Sequence, residues 1–354
     1  RTGDLPMNIL IVGPTWVGDT VLATPVLANL RSAFPAAKIH CLSTAWAGDI
    51  LIDHPDVDEL RLRPGGAAAD FRAAAAFRRD RMDLAFVLPN SIRGALLALA
   101  AGARRRVGYR RDGRSILLTD PVPRLPPPRG GGRHQVDEYL ALLEAAGVSV
   151  TSRIPRVGVS REAETFAGEV FRRHGIDPDE PVVGIQPGAK FGATKLWPAE
   201  RFAAAADGLA ESEGARIVLL GSPAEGPLTA RIASLMKTAP VDLAGKDRVA
   251  FLPALLRRFS VLLTGDTGPM HIAAAVGTPV VALFGPTDPG RTGPLGDRHT
   301  VLRRDLSCAP CFLKQCPYGH ECMEETAVDE VYRAVRETLR ASASSRAGAG
   351  ASHG

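Results

Sequence analysis

The segment Thr264-Gly265-Asp266-Thr267-Gly268-Pro269-Met270-His271 lies between an apolar run and an Ala-rich stretch, and its residue types suit an anion. Gly265 and Gly268 permit tight backbone geometry, and Pro269 fits the first turn of a helix, where its missing N–H costs nothing. The remaining first-turn amides and the positive end of the helix dipole then face whatever lies in front. A diphosphate meets that description, and so does an ordinary Asp or Thr cap on an α/β helix; the segment alone does not separate the two. Neighbouring segments weigh toward a ligand. Gly285-Pro286-Thr287 closes the next apolar run, Gln186-Pro187-Gly188-Ala189-Lys190 closes an earlier one, and Lys195-Leu196-Trp197-Pro198 follows shortly after. In open α/β sheets such loops converge on one crevice at the carboxyl ends of the strands. The lysines there would counter phosphate charge, although a lone lysine would be a solvated surface group.

Two other clusters carry chemistry. Arg104, Arg105, Arg106, Arg110, Arg111 and Arg114 crowd one stretch, with Arg93 just upstream behind Pro89-Asn90-Ser91. Guanidinium forks match phosphate and carboxylate; a solvated basic face is the alternative. Cys308, Cys311, Cys316 and Cys322, four of the five cysteines, stand with His320 at spacings that suit zinc or an iron–sulfur group. Reduced thiols without a metal are the favoured reading of the two, and Cys41 falls in a predicted strand as a core residue.

The elements that must position these residues alternate. Ile9-Leu10-Ile11-Val12 reads as a strand buried on both faces, followed by a Gly-containing turn and an apolar-periodic helix over about 19–32. Strands follow at 38–43 and 84–88, helices at about 91–101 and 136–146. The Pro- and Gly-rich stretch 121–133 reads as a surface loop. A composition break near 155–160 marks the passage between halves. The second half repeats the alternation, with strands at 181–185, 216–220, 261–263 and 280–284 and helices at about 199–212 and 269–276. Strand–helix alternation implies α/β architecture with mainly parallel sheets covered on both sides. The reading assigns 7–158 and 159–327 to two domains and 328–341 to a last helix. It assigns 342–354 to a disordered tail and excludes the six residues before Met7 from the fold.

At 354 residues the chain exceeds what one core organises, and 45% hydrophobic with 23% charged residues is ordinary for folded domains. No apolar run approaches the ~18 residues of a membrane span, and the start lacks the order of a secretory signal, so the cytoplasm is the default expectation. A net charge of +5 admits nucleic acid, a membrane face or a phosphorylated substrate, but aromatic residues are scarce at 5% and no nucleic-acid motif is present.

Val12-Gly13-Pro14-Thr15-Trp16-Val17-Gly18-Asp19, Pro187-Gly188 with Lys195-Leu196-Trp197-Pro198, and Gly265-Asp266-Thr267-Gly268-Pro269-Met270-His271 resemble, in order, the signature blocks of the ADP-heptose:lipopolysaccharide heptosyltransferases, most of all the heptosyltransferase II branch. The resemblance runs from Asn8 to about Leu339. It implies the GT-B type, two Rossmann-like doubly wound domains facing across a cleft, an inverting transfer, and no cofactor or catalytic metal. It makes Asp19 the general base that takes the acceptor hydroxyl's proton, where the residue by itself would read as a helix cap. It makes Lys195 the counter-charge to the departing diphosphate. Gly188, Lys195, Asp266, Thr267, Gly268 and His271 become donor-site residues, with Asp266 to orient a neighbour or take a hydroxyl. Glu225, in Gly221-Ser222-Pro223-Ala224-Glu225 after a strand, joins them by its own placement, as an acidic residue at a strand end that accepts ribose hydroxyls.

The implied donor is ADP-heptose and the implied acceptor the first heptose of a phosphorylated lipid A core, held by Arg93, Arg105, Arg106 and Arg110. The resemblance thus places a monomer transiently at the inner face of the cytoplasmic membrane. A related transferase with another acceptor, a non-catalytic nucleotide-sugar binder and a dehydrogenase are the competing functions. The last is disfavoured because Gly13-Pro14-Thr15-Trp16-Val17-Gly18 lacks the full dinucleotide fingerprint.

Overall fold

The computed structural model describes residues 7–111, 113–124, 132–190, 192–246 and 248–351. The six residues ahead of Met7, residues 125–131 of the Pro- and Gly-rich stretch and residues 352–354 lie outside the described residues. The chain divides into two compact units, Arg1–Gly158 and Val159–Gly354.

Six strands form the first unit's sheet: β1 (Asn8–Val12), β2 (Lys38–Thr44), β3 (Glu59–Arg63), β4 (Leu84–Val87), β5 (Arg105–Tyr109) and β6 (Asp120–Val122). Six more form the second: β7 (Val182–Gln186), β8 (Arg216–Leu219), β9 (Val241–Asp242), β10 (Val261–Gly265), β11 (Val280–Phe284) and β12 (Thr300–Arg303). The orders are β3-β2-β1-β4-β5-β6 and β12-β11-β10-β7-β8-β9, with every pair parallel. Each sheet is therefore wound both ways from its first strand, the Rossmann order, and each has one switch point, between β1 and β4 and between β10 and β7. The expected pair of Rossmann-like α/β sheets is what the chain forms. The central strands β4, β7, β10 and β11 are buried at every residue, as apolar runs covered by helices on both faces must be.

Helix Val17–Ala33 carries Pro25 in its interior, where the ring removes the N–H that would bond the Val21 carbonyl. The Thr24 hydroxyl donates to that carbonyl instead, at 2.7 Å. One turn on, buried Asn29 donates to the Pro25 and Ser152 carbonyls and accepts from the Thr151 and Ser152 amides. This pins the segment that ends the unit against the helix.

In the second unit, helix Ala199–Glu213 and the final helix bury Phe202, Leu209, Val331, Val335 and Leu339 in one core with Trp197. The final helix runs Val328–Ala351 rather than ending at 341 before a disordered tail. Its added turns are rich in Ala, the strongest helix former, and Ser342 anchors them by donating to the Thr338 and Ser260 carbonyls.

Candidate active site

In the second unit, Gln186 ends β7 and stands in register with Thr264 of β10, directly at the switch point. The Thr264 hydroxyl, fully buried, donates to Gln186 Oε1 at 3.2 Å and lies 3.0 Å from Thr267 Oγ1. Gln186 Nε2 in turn donates to Glu225 Oε1 at 3.4 Å, and Glu225 Oε2 accepts from the Ser222 amide at 2.7 Å in a capping box. A chain of polar groups thus runs along the carboxyl edge of β10, β7 and β8. Gly188 is what lets Glu225 in: a Cβ there would sit 1.8 Å from Glu225 Oε1 and 2.7 Å from its Cγ.

Lys195 and Asp266 form the charged core of this edge. The ammonium donates to Asp266 Oδ2 at 2.6 Å and to its carbonyl at 3.1 Å, and the two side chains are 11% and 9% exposed. Asp266 therefore orients Lys195, and the carboxylate offsets the charge that the ammonium presents. Thr267 is the N-cap of helix Gly268–Ala275 in extended conformation, makes no side-chain cap bond, and is followed by Pro269 in the first turn. Gly268 opens that helix, and His271 is buried one turn in. Thr287, beyond β11, is also buried, and its hydroxyl has no hydrogen-bond partner among the described residues.

In the first unit, Asp19 is the third residue of helix Val17–Ala33 and half-buried. The cap position belongs to Trp16, whose side chain makes no cap bond. Helix Gln135–Ala145 packs alongside and brings Tyr139 close. Burial pushes the Tyr139 phenol well up, and the Asp19 carboxylate adds to the rise. Its hydroxyl accepts from Gln135 Nε2 at 2.7 Å. His134 caps that helix, its Nδ1 accepting from the Val136 amide at 3.3 Å. Trp16 is half exposed and tilts against Trp46, with ring centroids 5.2 Å apart.

The arginine cluster is divided along the sheet, because 105–109 is strand β5. Arg105 begins β5 beside Leu84, the first residue of β4, and pairs with Asp120 at 2.8 Å. Arg106 donates to the Leu117 and Ala103 carbonyls. Both therefore lie toward the amino edge of the sheet, four and three residues from the carboxyl end of β5, roughly 10–13 Å along the strand. Arg110 follows that carboxyl end and is exposed. Arg114 is buried, donating to the Tyr109, Pro89 and Ser91 carbonyls, and bolts β5 to the loop after β4.

Arg93, in the first turn of helix Ile92–Ala100, donates to Asp70 Oδ2 at 2.8 Å, and Arg63 at the end of β3 reaches the same oxygen at 3.8 Å. Sequence reading did not find Arg63, Asp70 or Tyr139. Arg63-Pro64-Gly65-Gly66 behind an alternating Leu–Arg run was the available signal for the first of them.

Cys308, Cys311, Cys316 and Cys322 are free thiols around one small cavity. Burial, with the other three cysteines adding, pushes Cys322 up to about 11.

Residues 71–321 match glycosyltransferase family 9 (heptosyltransferase). The chain is 32% identical over 313 residues to lipooligosaccharide heptosyltransferase 2 of Haemophilus influenzae, covering 84% of this chain and 88% of that one. It is equally 32% identical, with the same coverage, to lipopolysaccharide heptosyltransferase 2 of Escherichia coli K12. The solved E. coli ADP-heptose lps heptosyltransferase II superposes with a TM-score of 0.79 at 28% identity, over 94% of this chain and 98% of that one. The two Rossmann-like sheets are thus of the GT-B type. Among the described residues no helix is long and apolar enough to cross a membrane.

Proposed function

Because this chain belongs to glycosyltransferase family 9, the heptosyltransferases, we propose that it moves a heptosyl unit from ADP-heptose to the first heptose of a lipopolysaccharide inner core, with inversion at the anomeric carbon. The observation that carries the donor half is the buried Lys195–Asp266 pair at the switch point of the second sheet, flanked by an uncapped helix start where a diphosphate is favoured. The ADP diphosphate lies against Gly268 and the Thr267 turn with Lys195 supplying positive charge, and Glu225 takes ribose hydroxyls. Gly188 leaves room for that carboxylate, and His271 backs the helix.

Asp19 takes the proton of the acceptor hydroxyl while its oxygen bonds to the anomeric carbon and the bond from that carbon to the phosphate oxygen breaks, releasing ADP. A carboxylate within hydrogen-bond reach of a hydroxyl can serve as such a base. Arg93 and Arg110, at the carboxyl edge of the first sheet, hold the anionic groups of the acceptor; Arg105 and Arg106 stand at the far edge and have no part in it. The protein works as a monomer at the inner face of the cytoplasmic membrane, without a cofactor and without nucleic acid.

The test is ADP release from ADP-heptose, with a monoheptosylated core acceptor and truncated cores as comparison, for the unaltered chain and Asp19→Asn. Turnover that depends on the acceptor's first heptose, reduced by about 10²–10⁴ in the variant while ADP binding persists, supports the reading. Turnover of the unaltered chain only with a different core assigns another acceptor. Full activity in Asp19→Asn removes the base.

A further inference from the structure

The stretch 308–320 has almost no regular structure, yet it is fastened to the loops of the donor edge. The Phe312 amide donates to the Pro286 carbonyl at 2.8 Å, and the Thr194 hydroxyl donates to the Leu313 carbonyl at 2.7 Å. His320 Nε2 lies 2.7 Å from the carbonyl of Thr194, the residue next to Lys195. Beyond it, the Trp197 indole donates to the Thr326 carbonyl at 3.0 Å. A Cβ at Gly285 would stand 3.0 Å from Cys322 Sγ. The segment is therefore a strap across the turn that carries Lys195.

Apolar burial does not explain what keeps this strap in shape. Phe312 and Leu313 are 44% and 45% exposed and Tyr318 is 67% exposed. What it has beside the second unit's core, to which Cys322 belongs, is four sulfurs, from Cys308, Cys311, Cys316 and Cys322, around a cavity of about 20 Å³, room for about one water-sized body. Short segments that lack a core are commonly held by disulfides or a structural ion, and here all four thiols are free.

The structure assigns a further site: we propose that these four cysteines bind one thiophilic divalent cation, zinc or ferrous iron, as thiolates, and that the ion sets the strap that positions the Thr194–Lys195 turn. Soft thiolates select such ions over magnesium or calcium. No three of the sulfurs lie within 4.8 Å of one another, whereas a tetrahedral thiolate site places each at about 2.3 Å from the ion; loading draws the coil inward. Each thiol that binds exchanges its S–H proton, released to solvent, for a sulfur–metal bond, with no change of oxidation state. The alternative trio His40, Glu59 and Asp80 does bring its ligand atoms within 4.8 Å. Its imidazole, however, is already engaged on both nitrogens, by Glu59 and Asn8.

The experiment purifies the full chain anaerobically without added chelator and measures zinc and iron per chain, beside Cys308→Ser/Cys311→Ser. Chelator-stripped unaltered chain is then titrated with cobalt(II), read by the sulfur-to-cobalt charge-transfer band, which needs no transferase activity. One equivalent of zinc or iron, lost in the double variant, together with one equivalent of cobalt taken up by the stripped chain, is the expected result, and the element found identifies the ion. No retained metal and no cobalt band overturns the site, as does undiminished uptake by the double variant. For the strap, which rests on the donor reading above, stripping the unaltered chain is expected to weaken ADP binding several-fold and reloading to restore it. Unchanged ADP affinity overturns that half and leaves the metal site standing. Absence of ADP binding in both loaded and stripped chain would instead sink the donor reading.

Discussion

Lys195 Nζ lies 2.6 Å from Asp266 Oδ2 with both side chains about nine-tenths out of water, and the pair joins two loops that are far apart in sequence. Removing one partner strands a buried charge, which costs about 3–5 kcal/mol, whereas replacing both with apolar groups of similar size is close to neutral. Asp266→Asn is therefore expected to lower stability by that order and to weaken ADP binding. Lys195→Met/Asp266→Leu is expected to regain most of the stability and none of the binding. Urea unfolding and calorimetric ADP titration of the three variants check this; a double variant as unstable as the single would show that the loss comes from packing rather than stranded charge.

Gly188 makes a more local demand. A side chain there meets Glu225 at 1.8 Å, so Gly188→Ala must drive the carboxylate off Gln186 and the Ser222 amide. We expect destabilisation of about 1–3 kcal/mol, the usual range for overpacking, with a weaker grip on ADP. Glu225→Ala added to it should recover stability while ADP affinity stays low. Wild-type ADP affinity in Gly188→Ala would mean that Glu225 does not touch the nucleotide.

The strands with continuous apolar runs were legible, and so was the winding that places loops at their carboxyl ends, because a strand buried on both faces has no room for charge. The strands that carry charge were not. Glu59-Leu60-Arg61-Leu62-Arg63 and Arg105-Arg106-Val107-Gly108-Tyr109 carry arginines on partly solvated strands, and they read as basic clusters or as nothing. That one pattern made Arg105 and Arg106 read as members of an arginine cluster rather than of a strand, and it also hid Arg63. The Thr264–His271 segment was legible because Gly, Pro and Thr report backbone geometry directly. Tyr139 was not, since its nearness to Asp19 arises from packing between helices more than a hundred residues apart.

The split of the arginines is itself testable. Arg105→Ala loses a half-exposed pair with Asp120, worth about 0.2–1 kcal/mol of stability, and should leave the acceptor KM unchanged. Arg93→Ala and Arg110→Ala should raise the acceptor KM with little effect on the donor KM. Equal effects from all three variants would restore the single patch and argue against a site confined to the carboxyl edge.

Acid stability should depend on Asp207, a residue with no part in the site. Burial alone would raise its pKa, but its carboxylate accepts from the Lys237 and Thr238 amides and the Thr238 hydroxyl at 2.9–3.1 Å, and these bonds together hold it below its ordinary value. A carboxylate that binds its proton less readily folded than unfolded adds stability in full above its unfolded pKa, about 4, and loses that contribution as the pH falls through the folded value. The unaltered chain should thus lose stability as pH drops below about 4. Asp207→Asn cannot ionise, and its single carbonyl oxygen replaces two acceptors. It should be less stable at neutral pH by about 1–3 kcal/mol and should show a shallower decline toward acid. Urea midpoints of both chains from neutral to acid pH measure the difference, and parallel curves would place the acid-sensitive group elsewhere.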